Sequence, residues 1–186
     1  AVCHPNANVR ESAVIGPLCV VDEGVEIGEN VVLESRVRVY GCVTIKANTH
    51  VYDGAILGAT PQDLKYAGEP TRLEIGENCI IREYTTLNRG TVQGGGCTRI
   101  APRVLIMAYA HVGHDCQIGE GAVIANACQL GGHVRIGMFA TLGGTTAVQQ
   151  RNQVGAYAFV GGTLKVDYDV PPCSRAFGNP LRFASL

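Results

Sequence analysis

Three histidines and one aspartate fall close together in the second half of the chain, at His111, His114, Asp115 and His133. An imidazole titrates near neutral pH and can therefore act as a general base. A neighbouring carboxylate can fix the tautomer of such an imidazole and stabilise the imidazolium that forms. Since no serine or cysteine is spaced as a competing nucleophile, these residues predict base catalysis on a hydroxyl group that the substrate supplies.

The elements that must carry these residues are predicted by a period of six. An apolar residue recurs at every sixth position from Cys3 to Leu57, resumes at position 75, and then runs one residue out of phase from Ile100 to Val166. A small or β-branched residue follows four places after most of them. A strict period of six fits neither an α-helix nor a simple two-faced strand. It predicts an all-β fold, a left-handed parallel β-helix of hexapeptide repeats with roughly ten coils.

Residues 18 apart lie in one column of such a helix, because three hexads make one coil. Asp115 and His133 differ by 18, and His114 and Gln150 differ by 36 with Gly132 between them. The two histidines and the aspartate occupy hexad positions away from the interior, so we expect them to project outward on one small patch. Gly132 beside them could offer its backbone N–H as an oxyanion donor.

Two polar stretches interrupt the repeat and are predicted to be loops ejected from the β-helix. They are residues 58–72 (GATPQDLKYAGEPTR) and residues 93–99 (QGGGCTR). Insertions of this kind often build the binding face of a repeat protein. The repeat fades before two adjacent prolines, so residues 1–170 are predicted to form the β-helix and residues 171–186 an exit segment.

The cysteines are predicted to be free thiols. Cys19, Cys79, Cys116 and Cys128 fall in the small interior slot of the repeat, where a thiol acts as a small hydrophobe. Free thiols indicate a reducing compartment, and we expect the cytoplasm. The formal net charge of −1 gives no electrostatic case for nucleic acid. No apolar run approaches the length of a membrane span.

Other interpretations fit the same repeat. Outward polar residues on a β-helix can be solvated surface and nothing more, and a non-catalytic trimeric scaffold would also keep the repeat. His111, His114 and His133 could supply three imidazoles to zinc. Hexapeptide-repeat carbonic anhydrases, which this chain resembles in its repeat, pair two histidines five residues apart, whereas His111 and His114 are three apart. We therefore expect no metal.

Several longer stretches resemble one family of hexapeptide-repeat transferases closely. This family comprises the UDP-N-acetylglucosamine O-acyltransferases that use acyl carrier protein and begin lipid A biosynthesis. The resemblance extends over nearly the whole chain, and the matching segments are ATPQDLKYAGEPTRLEIGENCIIREYTTLNRGTVQGGG, AHVGHDCQIG, GGHVRIG, GGTTAV and DVPP. The PQDLKY and HDC segments are more specific to this family than to hexapeptide transferases in general.

The resemblance implies a role for each matching residue of the centre. His114 would be the general base that takes the proton from the 3-hydroxyl of the glucosamine, and Asp115 would orient it. Gly132 would donate its backbone N–H to the thioester carbonyl, and His133 would lie near the acyl pantetheine. The acyl chain would arrive on the phosphopantetheine of acyl carrier protein, so no separate cofactor is expected.

The resemblance also implies the contacts of the acceptor and the assembly. Asp63 would hold the sugar, Lys65 would meet the diphosphate, and Gln62 lies in the same loop. His111 and Gln150 would make further sugar contacts. The family forms homotrimers with active sites between subunits, and it continues into a helical C-terminal domain that we expect to be absent here. The family usually has a histidine at the position of Gln149.

Overall fold

The structure is a computed structural model and describes residues 1–185. This part of the chain contains one 3₁₀ turn (Val92–Gly94) and 27 strands, most of them two residues long. In chain order the strands are β1 (Val2–Cys3), β2 (Asn8–Val9), β3 (Val14–Ile15), β4 (Val20–Val21), β5 (Glu26–Ile27), β6 (Val32–Leu33), β7 (Arg38–Val39), β8 (Val43–Ile45), β9 (His50–Val51), β10 (Ile56–Ala59), β11 (Arg72–Ile75), β12 (Ile80–Ile81), β13 (Thr86–Asn88), β14 (Cys97–Ile100), β15 (Leu105–Ile106), β16 (His111–Val112), β17 (Gln117–Ile118), β18 (Val123–Ile124), β19 (Gln129–Leu130), β20 (Arg135–Ile136), β21 (Thr141–Leu142), β22 (Ala147–Val148), β23 (Gln153–Val154), β24 (Phe159–Val160), β25 (Lys165–Val166), β26 (Ser174–Phe177) and β27 (Arg182–Ser185).

These strands form the three faces of a prism, because every third strand belongs to the same sheet. Face A contains β1, β4, β7, β10, β13, β16, β19, β22 and β25; face B contains β2, β5, β8, β11, β14, β17, β20 and β23; face C contains β3, β6, β9, β12, β15, β18, β21, β24, β26 and β27. All neighbours are parallel except β26 and β27. The predicted left-handed parallel β-helix is confirmed, with nine parallel strands in each of faces A and C compared with the roughly ten coils expected.

The register between coils confirms the prediction that residues 18 apart lie in one column, which we call the column rule. His111 pairs with Gln129, and Gln117 pairs with Arg135, in each case 18 residues apart. Column neighbours are therefore separated by about 4.8 Å, the spacing of hydrogen-bonded strands.

The interior is filled by the two slots that the hexad predicts. The larger slot holds fully buried residues such as Ile106 and Leu130, and the small slot holds residues such as Cys116 and Cys128. Each of these two thiols donates to a carbonyl oxygen of the next coil, over 3.1 Å to Gly131 and to Gly143 respectively. The small slot therefore takes a weak donor as easily as a methyl group.

The corner between faces A and B, which we call the AB corner, positions the residues of interest. Both ejected loops leave the prism there, as residues 60–71 between β10 and β11 and residues 89–96 between β13 and β14. The following coils turn the same corner with His114–Asp115, Gly132–His133 and Gln150–Arg151. One edge of the prism therefore carries both insertions and the histidine–aspartate cluster.

The loop boundaries differ from the predicted ones. Strands β10, β11 and β14 are four residues long and include residues 58, 59, 72 and 97–99, which the sequence assigned to the loops. The second loop begins at residue 89 rather than 93, directly after β13, and ends before Cys97, where β14 begins. Beside the insertions, β10 pairs with β13 and β11 pairs with β14 over more residues than the two-residue strands do.

The segment after residue 170 first adds another strand to the prism. Pro172 and Cys173 form a corner turn, and β26 then pairs in parallel with β24 on face C before β27 folds back. A proline is tolerated at this corner because no ladder N–H is needed there. Among residues 1–185, no helix has the length and apolar character required to cross a membrane.

Candidate active site

His114 and His133 lie on successive turns of the AB corner. The backbone N–H of His133 donates to the carbonyl oxygen of His114 over 2.8 Å. The two imidazole rings are 5.0 Å apart between centroids and nearly perpendicular. The structure thus brings together the two histidines that the column rule placed in neighbouring coils.

The side chain of Asp115 is completely buried, whereas the sequence predicted that it faces outward. It does point away from the interior of the prism, but the loop of residues 89–96 folds over it. Gly94 of that loop lies so close that a Cβ there would collide with the Asp115 carboxyl group. The burial therefore comes from an insertion that covers the corner, and Gly94 permits the close approach.

Thr91 holds the Asp115 carboxylate at both of its oxygens. The backbone N–H of Thr91 donates to Oδ1 over 2.8 Å, and its hydroxyl donates to Oδ2 over 2.6 Å. The backbone N–H of Asp115 in turn donates to the hydroxyl of Thr98 over 2.8 Å. Hydrogen bonds to an ionised carboxylate are among the stronger ones in proteins, so the orientation of this group is fixed.

His114 donates from Nδ1 to Oδ2 of Asp115 over 2.8 Å. A carboxylate can only accept, so the proton of the neutral ring lies on Nδ1 and leaves Nε2 as a lone-pair base. The ring is mostly enclosed, with 13% of the side chain exposed. This arrangement can take a proton from a hydroxyl group and stabilise the resulting imidazolium with a buried negative charge.

Gly132 lies against the basic edge of this ring. A Cβ on Gly132 would come within 2.5 Å of both Cε1 and Nε2 of His114, so any other residue would block the base. Among residues 1–185, the N–H of Gly132 has no backbone acceptor. An open space with a free donor therefore adjoins the proton-accepting nitrogen.

The other two histidines of the cluster are held toward their neutral forms. Burial lowers the pKa of His111 below its usual 6.5, and the neighbouring His114 lowers it further. Its Nδ1 lies 2.7 Å from the Thr86 hydroxyl. Burial likewise lowers the pKa of His133, which is also influenced by the charges of Asp115 and Asp63 among others.

The loop of residues 60–71 reaches this corner from two coils earlier. Its Asp63 is half-buried and close enough to His133 to act on it electrostatically. Asp63 also accepts from the backbone N–H of Lys65 over 3.0 Å, which tightens the loop. Gln62 and Lys65 are exposed on the loop, and Gln150 is exposed at the corner.

Comparisons with known proteins agree with this architecture. Residues 97–132 match the bacterial transferase hexapeptide family (six repeats). LpxA from Acinetobacter baumannii is 38% identical with a TM-score of 0.90, and the match covers 99% of this chain and 74% of that one. UDP-N-acetylglucosamine acyltransferase from Francisella novicida is 36% identical with a TM-score of 0.97, over 98% and 67%. The O-acyltransferase LpxA from Moraxella catarrhalis is 40% identical with a TM-score of 0.91, over 99% and 74%.

The chain belongs to the UDP-N-acetylglucosamine acyltransferase family. Identity above 35% over nearly the whole chain, together with the same fold, establishes this membership. The resemblance drawn from the sequence is therefore confirmed at the level of the family.

Within residues 1–185, one group of side chains is arranged so that it could bind a metal ion, and it is the cluster of His114, Asp115 and His133. One potential ligand atom from each of His114, Asp115 and His133 lies within 4.8 Å of the others. The three-imidazole set considered from the sequence is not the one assembled, because His111 lies outside this group. A metal ion would have to displace the Thr91 and His114 hydrogen bonds of the carboxylate, so these residues fit a base better than a ligand set.

The sequence did not predict the residues that hold Asp115 in place at the AB corner. Thr91, Gly94 and Thr98 surround Asp115, but the predicted loop began after Thr91. The available signal was the Thr-Val-Gln-Gly run, in which a threonine precedes a tight turn and caps it: Thr91 accepts from the N–H of Gly94. An N-cap threonine of this kind is readable from sequence, although its contact with Asp115 is not.

Proposed function

We propose that this chain transfers a 3-hydroxyacyl or other acyl chain from acyl carrier protein to the 3-hydroxyl of UDP-N-acetylglucosamine, the first step of lipid A biosynthesis. The observation that carries the proposal is the 2.8 Å hydrogen bond from His114 Nδ1 to the buried Asp115 carboxylate, which leaves Nε2 open beside Gly132. Family membership supports the choice of acceptor, since the names of the related enzymes give acyl transfer to UDP-N-acetylglucosamine.

The reaction follows from the state of the two ring nitrogens. Nε2 of His114 takes the proton of the sugar 3-hydroxyl while the oxygen of that hydroxyl attacks the thioester carbon. The C–O bond forms, the tetrahedral intermediate collapses, and the C–S bond breaks. The pantetheine thiolate then recovers the proton from the imidazolium. Asp115 stays ionised throughout, and its buried charge stabilises the imidazolium.

The developing oxyanion needs a donor at the thioester carbonyl. The N–H of Gly132 is the donor that we assign to it, because it is free of backbone partners and adjoins the ring of His114. A preorganised donor of this type contributes a factor of about 10²–10³ in the rate of acyl transfer.

The remaining site residues would bind the substrates. Asp63 and Lys65 stand on a loop that reaches the corner, where they would meet the sugar and the diphosphate, with Gln62 beside them. His111 and Gln150 would contact the sugar. A neutral His133, favoured by its lowered pKa, would adjoin the pantetheine without adding a competing positive charge.

The assembly that we propose is a homotrimer in the cytoplasm. The AB corner is a convex edge of the prism, and a convex edge buries little of a substrate. A second copy packed along this edge would convert it into a cleft, as closed cyclic symmetry allows. We propose that no metal ion takes part, since the Asp115 carboxylate already orients the His114 base and can stabilise its imidazolium.

The experiment that tests the function is an acyl-transfer assay with UDP-N-acetylglucosamine and a panel of acyl carrier proteins loaded with different chains. His114→Ala should lower kcat by about 10²–10⁴-fold, the usual contribution of a general base. Asp115→Ala should lower it less, because Nε2 keeps its lone pair. Circular dichroism and the thermal midpoint serve as controls for folding.

The metal alternative makes the opposite prediction. A chelator should leave the wild-type activity unchanged under our proposal. Activity retained in His114→Ala but abolished in the wild type by chelation would replace the general base with a metal centre.

A further inference from the structure

A polar groove of about 770 Å³ opens on face B beside Asp115 and His133. Three arginines contribute to its walls, Arg99, Arg135 and Arg151. The roles assigned above leave all three unused. Their convergence beside a proposed catalytic centre is the feature from which a further site can be inferred.

The β-helix sets the spacing of these arginines. Arg99, Gln117 and Arg135 follow one another in one column of face B, so Arg99 and Arg135 are about 10 Å apart at their backbones. Arg151 lies at the AB corner, where its N–H donates to Gly132 over 3.0 Å. Long side chains rising from these positions can meet over a single anion.

The charges of the groove are not balanced within the described chain. Arg99 is 3.0 Å from Glu74, which it shares with Arg72. Arg135 and Arg151 are exposed and make no ion pair with any residue in the range 1–185. Asp115 is the carboxylate in the groove wall, and its oxygens already accept from Thr91 and His114.

We propose that this groove binds a phosphate group of a substrate through Arg135 and Arg151, with Arg99 at its far end. The planar guanidinium group donates two parallel hydrogen bonds to phosphate and is better suited to it than ammonium. The side-chain amides of Gln117 and Gln153 line the same groove and can add donors. The inference rests on the proposed acyl transfer, whose two substrates each carry phosphate.

The position of the groove favours the phosphate of the acyl donor. The loop with Lys65, to which the acceptor diphosphate is assigned, leaves the prism two coils before His114. Arg135 and Arg151 belong to the coils after it. Two substrates that meet at one base must approach it from different sides, so the phosphopantetheine phosphate is the one we expect here.

Equilibrium binding by calorimetry can test this directly. The probes are 4′-phosphopantetheine, pantetheine without phosphate, and UDP-N-acetylglucosamine, each with the wild type, Arg135→Gln and Arg151→Gln. Each substitution should weaken binding of one phosphate-bearing probe by about tenfold or more, since a charged hydrogen bond contributes that much. Pantetheine should bind equally to all proteins. Arg10→Gln, an exposed arginine of an early coil, is the matched control.

The outcomes separate the groove from the proposed reaction. A loss confined to 4′-phosphopantetheine assigns the groove to the donor, and a loss confined to UDP-N-acetylglucosamine assigns it to the acceptor; either supports a phosphate site. Unchanged affinities for both would overturn it, even if the wild type transfers acyl chains. Absence of transfer by the wild type would refute the reaction without altering these binding constants.

Discussion

At the scale of single residues, the hydroxyl of Thr91 is the most informative group to remove. It donates to the same Asp115 oxygen that accepts from His114, so it helps to keep that oxygen aimed at the ring. Thr91→Val preserves shape and the backbone N–H but deletes this bond. A hydrogen bond to a charged group contributes about 1.5–3 kcal/mol, so we expect kcat to fall about tenfold with little change in KM.

Thr91→Ser is the matched control, because it restores the hydroxyl. Steady-state kinetics should show near wild-type kcat for serine and the loss for valine. Equal kcat values for valine, serine and the wild type would mean that Thr91 only closes the loop. A rise in KM with constant kcat would also contradict a role in orienting the base.

Whether a contact between two of these residues can be predicted from the sequence depends on how far apart they lie along the chain. The pairing of His114 with Asp115 follows from adjacency, and that of His114 with His133 follows from the column rule. The burial of Asp115 does not follow from either, because it depends on a loop whose Thr91 lies 24 residues earlier. A periodic pattern fixes the coils but carries no information about where an insertion folds.

At the scale of elements, the loop of residues 60–71 provides a separable test of acceptor binding. Lys65 is exposed on this loop and supports phosphate binding as a point charge. Lys65→Ala should raise the KM for UDP-N-acetylglucosamine about tenfold, with kcat nearly unchanged, because the loop would bind ground state and transition state alike.

Lys46→Ala controls for the loss of a positive charge, since Lys46 is exposed directly after β8 of face B, in an earlier coil. Initial-rate measurements over a range of acceptor concentrations would distinguish the two variants. If both left KM at the wild-type value, the loop would have no part in acceptor binding.

The phase of the coils was predicted correctly wherever the hexad is unbroken. From β15 to β25 each two-residue strand ends on the apolar residue of the repeat, from Ile106 to Val166. The predictions were less accurate at the insertions, where β10 and β13 extend beyond the usual two residues. The ends of these two strands are set by the hydrogen bonds between them. Such pairing between distant segments cannot be read from the local sequence.

At the scale of the whole molecule, the interior divides the eight thiols into two classes. Cys19, Cys79, Cys97, Cys116 and Cys128 are buried and free. Burial raises the pKa of each of these five, to about 12 for Cys116. The reactive form of cysteine is the thiolate, so buried thiols should resist alkylation until the prism unfolds.

Mass spectrometry after brief iodoacetamide treatment should therefore show three rapid additions, at the exposed Cys3, Cys42 and Cys173. Denaturation without reductant should raise the total to eight. Fewer than eight additions would reveal disulfides and argue against a reducing compartment. Rapid modification of Cys116 in the native protein would contradict a closed interior.

The outward positions of face C supply the strongest physical reason to expect a homotrimer. They are predominantly apolar, whereas those of face B carry charges and amides. In the parallel strands of face C these positions are Val14, Val32, His50, Ile80, Leu105, Val123, Thr141, Phe159 and Arg175. An extended apolar surface of this kind marks an interface, and a straight prism offers it along its whole length to the edge of another copy.

Sedimentation equilibrium at micromolar concentration should therefore give a mass about three times the 19.6 kDa of one chain. Leu105→Glu should shift the protein toward a single chain, because packing against face C would bury an unpaired carboxylate. Lys46→Glu places the same carboxylate at the end of β8, next to face B, and should leave the trimer intact. If acyl transfer is lost together with the trimer in Leu105→Glu, while His114 and its coil remain folded, the active cleft requires two copies. A wild type that sediments as one chain and is fully active would instead make the convex AB corner a sufficient site.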